Sequence, residues 1–174
     1  GRMATEHLIE LGHQRIAFVG DWEDSIGFRP TAKRRDGYRK AMADAGLEVP
    51  DNYIMTGPHE HLVTLAATNE LLDLDRPPTA VVASADSHAM VIAEGARARG
   101  VRVPEDLSVI GYDDLEIAEH LGLSTIRQPL YESGSRGARL LLDLLETDTR
   151  TPQHVELPVE LIARGSTAAP GNGR

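Results

Sequence analysis

The sequence contains no cysteine. Disulfides, thiolate catalysis and cysteine-based zinc sites are therefore excluded, and a reducing compartment fits. It is also short of positive charge: 18 Lys and Arg stand against 27 Asp and Glu, a net −9. An acidic domain repels a phosphate backbone, so this stretch of chain is not expected to bind nucleic acid by itself. No apolar run is long enough to span a bilayer, which predicts no membrane partner. The first seven residues, Gly1 to His7, are polar and carry no signal-peptide core. The motif inventory is equally thin. No Gly-x-Gly-x-x-Gly follows the first strand, no Gly-Lys-Ser/Thr cradles a phosphate, and no Gly-x-Ser-x-Gly forms a nucleophile elbow. A dehydrogenase, sugar kinase or hydrolase would need one of these, so neither an enzyme nor a cofactor is expected. There is no internal repeat and no low-complexity tract.

What is present is an alternation of helix and strand. Helical spacing predicts helices over residues 4–11, 34–45, 62–74, 87–99 and 132–145, with Gly12, Gly46 and Gly100 as stops. Short apolar runs at Ile16–Val19, Tyr53–Met55, Ala80–Ala83 and Leu107–Gly111 predict strands. Residues 155–162 read as extended, interrupted by Pro158, and the tail from Gly165 as frayed. The strands are continuous apolar runs rather than alternating ones. That predicts an α/β fold: a doubly wound parallel sheet covered on both faces, three layers in all.

In such sheets ligands bind outside the carboxyl ends of the strands. The loops there hold Asp21, Trp22, Arg34, His59, Asp86 and Asp113. Carboxylates and a guanidinium can pair with neighbouring hydroxyls, and an aromatic ring offers a flat apolar face. The set suits a sugar or another polyol, or a purine. Each residue also has a plainer reading. Asp86 precedes a helix and reads as a cap. One of Asp113 and Asp114 reads as a loop tie. Arg34, between Lys33 and Arg35, reads by spacing as part of a solvated face. Trp22, the sole tryptophan, is either a stacking platform or a loop anchor. Neither His59-Glu60-His61 nor the pair His7 and His13 has helical zinc spacing, so no metal site is expected.

Several segments carry a family resemblance. His7-Leu8-Ile9-Glu10-Leu11-Gly12-His13-Gln14-Arg15-Ile16-Ala17, Gly37-Tyr38-Arg39-Lys40-Ala41, Pro77-Pro78-Thr79-Ala80-Val81, Val103 to Asp114, and Ser124-Thr125-Ile126-Arg127-Gln128-Pro129-Leu130 occur in order. Leu157 to Leu161 and Arg164 to Thr167 close the pattern. Together they resemble the lactose/galactose-repressor family of bacterial transcriptional regulators over nearly the whole chain.

The resemblance implies one lobe of a two-lobed, periplasmic-binding-protein-like core. Residues 1–125 would form the second lobe and 126–157 a segment of the first. Residues 158–166 would be a return strand, and 167–174 a flexible tail. A helix-turn-helix head, outside these residues, would contact DNA. It also implies a cytoplasmic homodimer and a small-molecule effector, a sugar above all, whose closure of the lobes sets operator affinity. By position, Asp113 matches the family's effector-binding carboxylate and Arg34 its effector-gripping arginine. A one-residue gap would select Arg35 or Lys33 instead. His59 falls where the family often places an aromatic. Ala85 departs from the family's asparagine and cannot hydrogen-bond through its side chain. Trp22 lies in a loop that does not align. A periplasmic-type sugar-binding protein is the alternative reading, and a sugar-acting enzyme a more distant one.

Overall fold

A computed structural model describes residues 1–22, 30–146 and 153–171. Its elements are α1 (Arg2–Glu10), β1 (Ile16–Asp21), α2 (Pro30–Asp44), β2 (Ile54–Gly57), α3 (His61–Leu72), β3 (Ala80–Ala83), α4 (Asp86–Ala98), β4 (Ser108–Ile110), α5 (Glu116–His120), β5 (Thr125–Arg127), α6 (Leu130–Glu146) and β6 (Glu160–Ile162). β1 to β4 form a parallel sheet in the order β2-β1-β3-β4. The expected α/β sheet is what forms. Chain order reverses at β1, between β2 and β3, which is where an open sheet leaves a crevice at its carboxyl edge.

The continuous apolar strands are explained by two cores. On one face Ala17, Val19, Val81, Ala83 and Val109 pack with Leu71 of α3 and Ala89, Ile92 and Ala96 of α4. On the other, Ile16, Phe18, Ala80, Val82 and Ile110 pack with Ala4 and Leu8 of α1 and Tyr38 and Met42 of α2. The side chains of Ile16–Val19, β3 and β4 thus meet protein on whichever side they point. The Tyr38 hydroxyl, buried in the second core, donates to the Ile16 carbonyl at 2.8 Å. Phe18 and Tyr38 stack tilted at 5.6 Å.

Several boundaries differ from the periodicity. Tyr53 lies in a 3-10 turn, Asp51–Tyr53, ahead of β2, and its hydroxyl donates to the Arg76 carbonyl. α2 begins at Pro30, whose fixed φ suits a first helical turn. α5 and β5 escape a reading by apolar runs because they are short. β5 continues the sheet beyond β4: Gly111 N–H donates to the Ser124 carbonyl at 2.9 Å, and Asp113 N–H to that of Ile126 at 2.9 Å. β5 also pairs antiparallel with β6.

The frayed, flexible tail is corrected for its described part. Ser166 is buried: its carbonyl accepts Val109 N–H at 2.8 Å, and its hydroxyl donates to the Val109 carbonyl at 2.6 Å. Thr167 Oγ1 lies 3.0 Å from His7 Nε2, and the Ala168 carbonyl accepts His13 Nε2–H at 2.8 Å. Small polar residues here replace a missing strand edge partner rather than fray. The expected flexibility of 172–174 lies outside the described residues.

α6 stands apart. None of its residues is buried. Its apolar side chains, among them Leu141, Leu142 and Leu145, face outward along one stripe. Its polar stripe includes a Glu132–Arg136 pair at 3.6 Å.

Candidate ligand cleft at the strand ends

The site is built by four strand ends. Asp21 closes β1, His59 follows β2, Ser84 and Ala85 follow β3, and Tyr112 and Asp113 follow β4. α2 delivers Arg34 to the same edge, where Nη1 donates to the Ser84 carbonyl. Its guanidinium carbon sits 3.7 Å above the Tyr112 ring. A planar, delocalised cation stacks on an aromatic face in this way and is held flat. Lys33 is exposed, and it is Arg34 of the basic trio that reaches the strand ends.

Asp113 has φ 126°, a backbone region a non-glycine residue seldom occupies, and Asp114 follows at 59°. The double twist is held from β5: Asp113 N–H bonds the Ile126 carbonyl, and Gln128 Nε2 donates to Asp113 Oδ1. Strain at a strand end, fixed by neighbours, is a mark of positioned side chains. Burial pushes the Asp113 carboxyl up from its ordinary range; the Gln128 hydrogen bond and the Arg34 charge pull the other way. Asp114 has a different task. Burial would raise its pKa, but Arg127 Nε at 2.6 Å and Arg164 Nη2 at 2.8 Å hold it below the usual carboxylate range. It is the loop tie.

Asp86 is not a cap by its side chain. The N-cap of α4 is Ala85, half-buried and extended. The Asp86 carboxylate, fully buried, accepts Leu115 N–H at 2.8 Å and the Thr125 hydroxyl at 2.6 Å. Trp22 is exposed, with its backbone N–H on the Gly57 carbonyl at 2.8 Å.

The strand-end rule groups Asp21 with His59; the functional side chain it misses is His88. Asp21 Oδ1 lies 2.9 Å from His59 Nδ1 and 3.0 Å from His88 Nε2. The two imidazoles meet edge to face at 4.6 Å. His88 is buried, which lowers its pKa; Asp21 opposes that shift, while His59 and Arg34 add to it. The signal available was positional: His88 lies on the first turn after β3, beside the strand end. Ser84 Oγ is 3.5 Å from His88 Nδ1, completing a serine-histidine-aspartate order. That serine is buried at 1% exposure.

A parallel three-layer sheet with polar side chains gathered at its carboxyl edge defines a binding lobe of the doubly wound class. The model of the periplasmic binding protein-like domain family matches residues 5–167, and the chain belongs to that family. Its relatives are transcriptional regulators. Catabolite control protein A of Priestia megaterium is 35% identical over 94% of this chain and 49% of its own length. The regulator CelR of Thermobifida fusca is 37% identical over 95% of the chain and 48% of its own. The chain therefore spans about half the length of the curated relatives it matches. Among solved structures, a CelR–cellobiose complex superposes with a TM-score of 0.86 at 36% identity, covering 95% of this chain and 50% of that one. A LacI-family regulator from Enterococcus faecium with bound ribose gives 0.83 at 32%, covering 97% and 62%. Among the described residues, no helix is long and apolar enough to cross a membrane.

Proposed function

We propose that this chain is the effector-binding part of a DNA-binding transcriptional regulator, and that a sugar occupies the cleft at its strand ends. The observation that carries the reading is the convergence of Asp113, Arg34 and His59 on one edge of the sheet, near enough that the Arg34 guanidinium and the His59 ring both act electrostatically on the Asp113 carboxyl. A carboxylate beside a flat guanidinium can accept from and donate to adjacent hydroxyls, which is the pattern a sugar presents. Tyr112 backs the guanidinium, and the exposed Trp22, next after β1, offers an apolar ring face. The half-buried methyl of Ala85 makes that stretch of wall apolar, favouring a ligand with a bare ring face there. Two solved neighbours hold cellobiose and ribose, which supports a saccharide.

In this reading α6 belongs to the opposing lobe, which explains its bare apolar stripe. Closure of the two lobes on the sugar shifts a two-state equilibrium. A basic head, outside these residues, reads that shift at DNA in the cytoplasm, in a homodimer. The relatives' regulatory roles favour this over a transport receptor and over an enzyme.

The test is calorimetry on the metal-free chain in EDTA with a panel of mono- and disaccharides, cellobiose and ribose included, and purine bases as contrast. At least one saccharide is expected to bind. Asp113→Asn should weaken it by about 1–3 kcal/mol, the worth of a charged hydrogen bond. Binding of a purine and of no saccharide would overturn the sugar assignment, and unchanged affinity in Asp113→Asn would overturn the site.

A further inference from the structure

The strand ends also gather a set of donors that a sugar does not require. One oxygen of Asp21 stands between two imidazoles, 2.9 Å from His59 Nδ1 and 3.0 Å from His88 Nε2. All three donor atoms lie within 4.8 Å of one another. They come from three elements: the end of β1, the loop after β2 and the first turn of α4. Each imidazole turns its other nitrogen to a hydroxyl. His59 Nε2 lies 3.3 Å from Ser87 Oγ, and His88 Nδ1 3.5 Å from Ser84 Oγ. Without an ion, each inner ring N–H donates to the Asp21 oxygen. A cation would displace those two protons, and the serine hydroxyls could then accept an N–H from the outer nitrogen of each ring. Outer-shell acceptors that fix a histidine tautomer are a regular companion of metal-bound imidazole.

We propose that Asp21 Oδ1, His59 Nδ1 and His88 Nε2 form a zinc site, with a fourth coordination position open to the cleft. Two imidazoles and a carboxylate are a borderline donor set that suits Zn²⁺, and three protein ligands leave one position for a water or a bound oxygen. Tetrahedral bonds of about 2.0–2.1 Å place donors about 3.3–3.4 Å apart, so the ion needs the Asp21 pairs to open by about 0.4 Å. His59 and Asp21 can give that room. Their side chains are 58% and 31% exposed, whereas His88 is 3% exposed and fixes the base of the site. The open side is the exposed side. Arg34 opposes a cation here, and the carboxylates of Asp21 and Asp113 offset it. The ion site stands on this geometry alone. Only its use, taking a hydroxyl or carboxylate oxygen of the cleft ligand as fourth donor, rests on the effector reading above.

The experiment is titration of the EDTA-stripped chain with zinc chloride by calorimetry, and with cobalt(II) by visible absorption. One equivalent is expected, with the intense visible bands of a four-coordinate cobalt site. His59→Gln and Asp21→Asn should each weaken zinc binding at least tenfold, with circular dichroism in EDTA unchanged. His88→Gln should abolish it, and its fold is checked in the same way. Binding that is substoichiometric, or that survives His59→Gln and Asp21→Asn, would overturn the site. Zinc binding with no saccharide bound would leave it standing while the effector reading falls. Saccharide affinity identical with zinc and with EDTA would overturn the fourth-donor role.

Discussion

Asp86 reaches from the first turn of α4 to β5 and fastens Thr125: its Oδ1 accepts the Thr125 hydroxyl at 2.6 Å while Oδ2 accepts Leu115 N–H at 2.8 Å. One buried carboxylate therefore joins α4, the loop after β4 and β5. Asp86→Ala leaves the buried Thr125 hydroxyl and the part-buried Leu115 N–H without their acceptor. A loss of about 3 kcal/mol is expected, seen as a lower urea midpoint at unchanged m. Thr125→Val should cost about 1 kcal/mol. An Asp86→Ala midpoint equal to that of the parent chain would refute the role.

Asp113 carries both strain and a raised pKa. A carboxyl whose folded pKa lies above its unfolded value favours the fold fully below that unfolded value, about 3.9, and loses the advantage as pH rises through the folded one. At neutral pH the ionised group therefore works against the fold. Asp113→Asn should raise the melting temperature at pH 7, and the gain should vanish toward pH 4. Asparagine also tolerates the positive φ of this position. The same variant should stabilise the chain and weaken its ligand. A fall in melting temperature at pH 7 would contradict this.

Three histidines respond to acid in the opposite sense. Burial lowers the pKa of His7, His13 and His88. A group with a depressed folded pKa supports the fold above its unfolded value, about 6.5, and loses that support as pH falls through the folded one. Unfolding free energy should therefore decline between pH 6.5 and 5, before the carboxylates titrate. His13 is the most embedded, with Thr79 Oγ1 at 2.9 Å and the Ala168 carbonyl at 2.8 Å. His13→Ala should cost about 3 kcal/mol and expose the segment after Gly165 to proteases. A parent chain with flat stability from pH 7 to 5 would exclude the effect.

The stripe on α6 touches no core. Leu141 and Leu145 are 59% and 75% exposed. The double change Leu141→Glu and Leu145→Glu should leave the unfolding free energy of this chain within about 0.5 kcal/mol. In sedimentation it should abolish the self-association that an open apolar stripe promotes. A large drop in stability would mean that the stripe is packed in solution.

Much of this architecture is visible in the residues. Runs such as Ile16–Val19 and Ala80–Ala83 have no polar face, and only a sheet covered twice can bury them. The strand-end rule then picks out Asp21, Arg34, His59 and Asp113 without any contact information. Short elements are hidden for a physical reason: α5 and β5 are too brief for a period to emerge, and their pairing with β4 is set by tertiary hydrogen bonds. His88 is hidden because its helical position looks like core. Only the fold brings it to the Asp21 carboxylate, 67 residues away in sequence. Asp86 misleads because a carboxylate at a helix start usually serves that helix, whereas here the crowding of strand ends recruits it across the sheet.

The docking of residues 166–168 against β4 and α1 has a temporal side. Val109 N–H gains the Ser166 carbonyl, and His13 Nε2 the Ala168 carbonyl, only when the chain has passed through α6 and come back. On a ribosome, the sheet and its helices emerge long before the residues that lock them. This lobe must therefore wait in a loosened form until its last stretch leaves the exit tunnel, and a chain halted before Ser166 would present that form to proteases and chaperones.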